Sequence, residues 1–281
     1  MKKYFELIRV KHWVKNILIF IPMISSGLLN YNNIFITILS FFSFSFLTSF
    51  IYIINDIRDI EKDKLHPRKK KRPLPSGKIS KSKAIAIAVL MIFLSIIINT
   101  FINNSIFNIS FLFLLIYMVL NIAYSYGLKD MAIIDVVILS AGFILRVYYG
   151  ASIIDVSVSN WLFLTILSAS LFLGLGKRKK EYDQKKEARK VLEEYNENFL
   201  DKFQYISLTL MLIFYSLWTM EQSNSYLVFT IPILIIIFMK YCLVIEKSDE
   251  GDPTTILYQD KFLLGLCLIY GILMVLFMVV F

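Results

Sequence analysis

The chain has 281 residues, of which 57% are hydrophobic, 15% aromatic and only 18% charged. A soluble domain is about 45–50% apolar and about 25% charged, and a mean hydropathy of +0.66 is more than a soluble core can hide. This argues against a soluble enzyme, excludes a disordered chain or a disulfide-rich secreted one, and predicts an all-α polytopic membrane protein. The net charge of +9 fits basic loops facing anionic lipid rather than a nucleic-acid partner.

Residues 1–16 are basic and run into an apolar stretch with no small-residue cleavage site, so no cleaved signal peptide is expected. Spanning helices need roughly 20 apolar residues. Nine candidates follow in chain order: 14–30, 34–54, 83–102, 107–126, 131–150, 158–176, 203–220, 225–244 and 262–281. Ile is common in them, but a lipid-embedded backbone must satisfy itself, which favours helix over strand. The loops 1–13, 55–82, 127–130, 177–202 and 245–261 hold nearly all Lys and Arg, whereas the intervening loops hold none. That asymmetry predicts a cytoplasmic N-terminus. Residues 1–281 read as a single domain, with long polar loops near 55–82 and 177–202 that carry the function. Cys242 and Cys267 lie in apolar segments and read as packing residues.

The polar clusters come in the same order. In Arg9–Asn16, Lys15 and Asn16 suit a lipid phosphate at headgroup level, although Trp13 and the lysines also read as interfacial anchors. The second span ends in Asn55-Asp56-Ile57-Arg58-Asp59-Ile60-Glu61-Lys62-Asp63. If the helix continues, Asp59 and Asp63 lie about 300° and about 340° round from Asp56, so all three share one face within about 60°. Like charges so placed repel, and a divalent cation relieves them. Hard oxygen ligands favour Mg2+, which bridges carboxylates to substrate phosphates. A solvated charged face partnered by Arg58 and Lys62 is the alternative.

Pro67, Pro73 and Pro75 forbid a continuous helix after this motif, and the run Arg68–Arg72 suits a polyanion or simply the inner membrane face. Arg72 stands out, because Pro73 fixes its backbone and a guanidinium forks onto phosphate. His66 reads as a structural or capping residue, with acid–base work or phosphate binding as its other role. Tyr124, Lys129 and Asp130, followed by Asp135, close the fourth span, where an interfacial aromatic belt is the alternative. Arg146 is the one basic residue well inside a span; it either marks function or snorkels outward to pair with Asp155. After the sixth span, Lys177 and Arg178 supply phosphate-binding charges beside Glu181, a candidate second metal ligand. Residues 185–202 read as an amphipathic surface helix.

The pattern Asn55-Asp56-x-x-Asp59-x-x-x-Asp63 at the end of the second of nine spans resembles the UbiA prenyltransferase superfamily. The stretches Trp13-x-Lys15-Asn16, His66-Pro67, Arg72-Pro73, Gly77, Gly127-Leu128-Lys129, Gly142-Phe143-x-Leu145-Arg146 and Gly176-Lys177-Arg178-x-x-Glu181 resemble its decaprenyl-phosphate phosphoribosyltransferase branch. Glu181 stands where aromatic prenyltransferases carry a second Asp-x-x-x-Asp run. The resemblance implies nine helices around a cavity open to lipid, in the plasma membrane, with the active site facing the cytoplasm. It implies transfer of 5-phosphoribose from phosphoribosyl diphosphate to a polyprenyl phosphate. Asp56, Asp59, Lys129 and Glu181 would be catalytic, and Asp56, Asp59 and Asp63 would hold Mg2+. Lys15, Asn16, Asn55, Arg72, Tyr124, Arg146, Lys177 and Arg178 would bind substrate. Two rivals remain at this stage: a polyprenyl diphosphate donor with an aromatic acceptor, and a lipid transporter or flippase. Membrane lipids surround the chain, and a homo-oligomer stays open.

Overall fold

A computed structural model describes residues 2–65, 69–184, 190–248 and 251–279. His66, Pro67 and Arg68 lie outside the described residues. The described chain is helical throughout: α1 (Lys2–Leu7), a 3-10 stretch (Val10–Phe20), α2 (Ile21–Ser25), α3 (Tyr31–Arg58), α4 (Ile60–Leu65), α5 (Lys81–Asn103), α6 (Ile109–Ser125), α7 (Ile134–Ile153), α8 (Asn160–Asp183), α9 (Glu197–Glu221), α10 (Thr230–Lys247), α11 (Pro253–Gln259) and α12 (Lys261–Val279). Seven helical segments are long and apolar enough to cross a membrane, and the 17-residue Ile109–Ser125 falls just short. The chain is therefore a multi-pass α-helical membrane protein.

Short polar residues start the long helices. Asn30, Ser80, Asn108, Ser159 and Asn196 each accept a hydrogen bond from a backbone N–H three residues on, which satisfies an otherwise orphaned donor. Helices adjacent in sequence pack against each other, α8 on α9 and α6 on α7 among them. Close approach depends on small residues. A side chain at Gly150 of α7 would run into the backbone of Ile19. Along α3, Ser43 donates to the Ser95 carbonyl of α5 at 2.9 Å, while Ser45 and Ser49 accept from Asn16 and Trp13 at 2.9 and 3.0 Å. One apolar core joins Ile19, Phe44, Leu47, Tyr117, Leu145 and Tyr149. Another lies under α8–α10 and joins Phe172, Ile237, Tyr241 and Ile245.

The structure departs from the sequence reading in three places. The expected span 14–30 is not one helix: it is a 3-10 stretch followed by five residues of α2, with Pro22 near the junction. The helix does not run on through the acidic motif either, because α3 ends at Arg58 and Asp59 is its C-cap with φ −92° and ψ 11°. In place of an amphipathic helix over 185–202, a short 3-10 turn (Lys190–Glu193) and buried Tyr195 precede α9, and residues 185–189 lie outside the described residues.

Candidate active site

The polar residues meet at one end of the bundle, where α3, α6, α8 and α10 finish and α7, α9 and α11 begin. Asp56, on the last turn of α3, is 4% exposed. Arg9 Nη2 donates to its Oδ1 at 2.5 Å, and Arg72 Nη1 reaches the same oxygen at 3.2 Å. Arg72 Nη1 also donates to Asp63 Oδ2 at 2.7 Å, and Lys69 lies 3.9 Å from the other Asp63 oxygen. One guanidinium thus sits between Asp56 and Asp63. Pro73 and the turn after it hold Arg72 in place: Ile79 N–H closes on the Pro73 carbonyl, and Leu74 and Ile79 are buried.

Asp59 is set apart from that pair. Because the helix breaks there, its carboxylate accepts from Arg58 Nε at 3.1 Å. Burial raises the Asp59 pKa, but the Arg58 hydrogen bond and charge, with Lys129 beside it, bring it below the usual carboxylate range. Lys129 responds in kind: burial lowers its pKa, and Asp59 is the strongest charge opposing that. Among the described residues no three of His, Cys, Asp and Glu form a metal-holding group. The expected single face of three carboxylates is thereby corrected to a pair, Asp56 and Asp63, with Asp59 beside Lys129. Asn55 is half-buried, and its carbonyl accepts from Asp59 N–H at 3.0 Å.

A second group faces this one across the 3-10 stretch. Lys15 Nζ donates to Asp252 Oδ2 at 3.1 Å, and Lys177 Nζ lies 3.9 Å from the same oxygen. Asp252 caps α11 through Thr254 N–H at 2.9 Å. Burial raises its pKa, yet the two lysines outweigh that and hold it far below the ordinary range. His12 packs against Tyr52 with the rings tilted by 47° and 5.6 Å between centroids, and Arg9 lies 4.5 Å from the same ring. Burial, then the charge of Lys15, lowers the His12 pKa to about 4, and its buried Nδ1 has no hydrogen-bond partner among the described residues. Arg9, His12, Tyr52 and Asp252 were not singled out by the sequence. Asp252-Pro253 is a helix-start signal, but its pairing with Lys15 spans 237 positions.

Arg178 is fully buried. It donates through Nε to Asp135, through Nη1 to Glu181 at 2.5 Å, and through Nη2 to Tyr124 at 3.0 Å. The expectation that it grips substrate phosphate is corrected: its donors are committed to protein oxygens, so it orders Tyr124 and Glu181. Arg146 is 5% exposed. It donates to Asn16 Oδ1 at 2.7 Å, to the Gly142 carbonyl at 2.5 Å and to Tyr117 OH at 2.9 Å, and it lies 5.1 Å from the Phe44 ring. It neither snorkels outward nor pairs with Asp155.

The family model for UbiA prenyltransferases matches residues 17–266. The chain belongs to the UbiA prenyltransferase family. It is a UbiA-type transferase, and it is similar to proteins named decaprenyl-phosphate phosphoribosyltransferase. The Corynebacterium glutamicum protein of that name is 30% identical over 94% of this chain and 82% of its own length. The one from Mycolicibacterium smegmatis is 29% identical over 92% of this chain and 86% of its own. Among solved structures, a UbiA homologue from Archaeoglobus fulgidus bound to GPP and Mg2+ superposes with a TM-score of 0.72 at 19% identity, covering 97% of this chain and 99% of that one. This last likeness shows the fold of the UbiA-type transferase alone.

Proposed function

We propose that this transferase moves 5-phosphoribose from phosphoribosyl diphosphate to a polyprenyl phosphate at the cytoplasmic face of the cell membrane. Nine crossings fit this reading, residues 14–30 and Ile109–Ser125 joining the seven longer ones. The observation that carries it is the gathering of Arg9, Lys15, Arg72, Lys129 and Lys177 around carboxylates at one end of a lipid-facing bundle. A soluble polyanion enters from that end, and an isoprenoid chain lies among the helices. The names of the mycobacterial and corynebacterial relatives support the donor and acceptor.

The chemistry needs little from the protein beyond charge and placement. A lipid phosphate oxygen attacks the anomeric carbon, the bond from that carbon to the diphosphate oxygen breaks, and the configuration inverts. The attacking group is already ionised near neutral pH, so no strong base is required. Arg72, Lys129 and Lys177 hold the departing diphosphate, and Lys15 holds the lipid phosphate; Asn16, expected to share that role, is fully buried with its amide bonded to Ser45 and Arg146. Arg146 fixes Asn16 and Tyr117, while Arg178 fixes Tyr124 and Glu181. The residues fit Mg2+: Asp56 and Asp63 already enclose one cation, the Arg72 guanidinium, and magnesium needs few protein carboxylates when phosphate and water complete its shell. Asp56 and Asp63 would hold the ion, while Asp59 stays with Arg58. Bound there, it would neutralise charge on the leaving diphosphate.

Membranes containing the full chain, magnesium and labelled phosphoribosyl diphosphate should yield a lipid-soluble phosphoribosyl product from added polyprenyl phosphate. No such product, with alkylation of an aromatic acid by a polyprenyl diphosphate, would assign the other UbiA donor chemistry. Lipid movement without turnover in either assay would assign transport.

A further inference from the structure

Between α6 and α7 the backbone takes a path that branched side chains rarely adopt. Ile133 has φ 69° and ψ −50°, and Ile134 N–H donates to the Ala132 carbonyl across it at 2.8 Å. This is the rare, strained form of the γ-turn. Strain of this kind persists only where the surroundings over-determine it, and it clusters where geometry matters for function. The Ile133 side chain does not supply that restraint, since it is 57% exposed. Besides the local bond from Asp135 N–H to the Met131 carbonyl at 3.1 Å, a side-chain restraint comes from 62 positions away: Ile133 N–H donates to Tyr195 OH at 2.7 Å, and Tyr195 OH donates to Asp135 Oδ1 at 2.7 Å.

Tyr195 is itself well held. It is 5% exposed, in a cluster with Val136, Leu175, Val191, Leu192 and Leu200. Burial and the Asp135 hydrogen bond raise the pKa of its phenol, so it stays a donor. Asp135 is fixed on its other oxygen by Arg178. At the far end of the same connection, the Leu128–Asp130 turn places Lys129 where its charge acts on Asp59, with Gly127 at φ 141° leading into it. The loop before α9 therefore grips the loop before α7 through one hydroxyl.

We infer that Tyr195 is a positioning residue that holds the Ile133 turn closed and so fixes Lys129 beside Asp59. This deepens the proposed function, since it rests on Lys129 meeting the donor diphosphate. The Val191–Tyr195 segment is then a strap on the donor site as well as a connection between helices.

The test uses the full chain in membranes and three variants: Tyr195→Phe, Ile133→Gly and the double variant. Tyr195→Phe keeps the ring in its apolar cluster and removes only the hydroxyl. Misplacing a catalytic group by about an ångström costs up to about a hundredfold. Tyr195→Phe should therefore lower kcat about tenfold or more and raise KM for magnesium phosphoribosyl diphosphate, with KM for polyprenyl phosphate unchanged. Ile133→Gly should be near wild type, because glycine enters positive φ without strain. The double variant should recover most of the lost rate. In Tyr195→Phe, amide exchange at Ile133 should also quicken about tenfold or more with no substrate present. Unchanged exchange at Ile133 would overturn the clamp whatever the donor proves to be. A wild-type rate in Tyr195→Phe, or a double variant no faster than it, would overturn the link to Lys129. A wild-type enzyme that transfers no phosphoribose would fail the proposed function, while the exchange result still decides the clamp.

Discussion

Arg72 and Arg178 do the same thing on paper and opposite things in the molecule. Each guanidinium joins two carboxylates at the polar end of the bundle: Asp56 and Asp63 for Arg72, Asp135 and Glu181 for Arg178. The Arg72 side chain is 34% exposed and presents one nitrogen to both acids, whereas the Arg178 side chain is 0% exposed and uses Nε and both Nη atoms. A partly hydrated ion pair contributes little and opens readily to a competing ligand. A fully enclosed one is a strut, because removing either member strands a charge in low dielectric. The first cluster is built to exchange partners and the second to stay shut.

That contrast breaks most sharply at Asp56. If the Arg72 cluster is the exchangeable one, Asp56→Ala should cut turnover about a thousandfold, the scale of losing a fixed electrostatic contact to developing charge. Insertion and the thermal unfolding midpoint in detergent should change little, since Arg9 and Arg72 remain partly hydrated. A large drop in the midpoint would make Asp56 a strut like Asp135 and erase the distinction. The converse applies to Arg178→Met. Stranding Asp135 should destabilise the fold by about 3–5 kcal/mol, read as a midpoint well below wild type, and turnover should fall in proportion to the folded fraction. Loss of activity at unchanged stability would move Arg178 to the substrate side.

The sequence makes the two halves of this comparison unequally visible. The spans are legible because lipid demands long apolar windows, and the segments expected over 34–54, 83–102 and 203–220 all fall within observed helices, with 158–176 starting two residues before α8. The starts are legible too, since Asn and Ser cap them for a local reason. The break at Asp59 is not legible: no Pro or Gly marks it, and Asp63 N–H still reaches the Asp59 carbonyl at 2.8 Å across the kink. Helical spacing therefore grouped three carboxylates that the break separates. From the sequence Arg178 reads as a phosphate-binding charge beside Glu181, because its burial depends on Asp135 and Tyr124 arriving from α7 and α6. Asp252 and Tyr195 act through partners 237 and 60 positions away, and spacing along one element carries no trace of such pairs. What the sequence displays is each element's own chemistry; which acid meets which base is decided by packing.

The smallest expected effect lies at His12, between Arg9 and the Lys15–Asp252 pair. Its folded pKa of about 4 lies below the ordinary value of 6.5, because burial and then Lys15 disfavour the imidazolium. Between those two values the unfolded chain binds more protons than the folded one, so stability rises with pH across the window and is flat above it. Acidifying from pH 7 toward pH 4 should thus progressively lower the midpoint. His12 is partly exposed, which screens the effect to about 1–2 kcal/mol. Carboxylates titrate at the low end of the same range, so the informative quantity is the difference between wild type and His12→Gln measured at each pH. The second histidine, His66, is common to both chains and cancels. Gln carries no charge at any of these pH values, so wild type should lose stability relative to His12→Gln as the pH falls through 6.5. Parallel curves would mean that the imidazole is hydrated and titrates freely. The 3-10 stretch would then stand open, and Lys15 and Arg9 would not be held at fixed places beside Asp252 and Asp56.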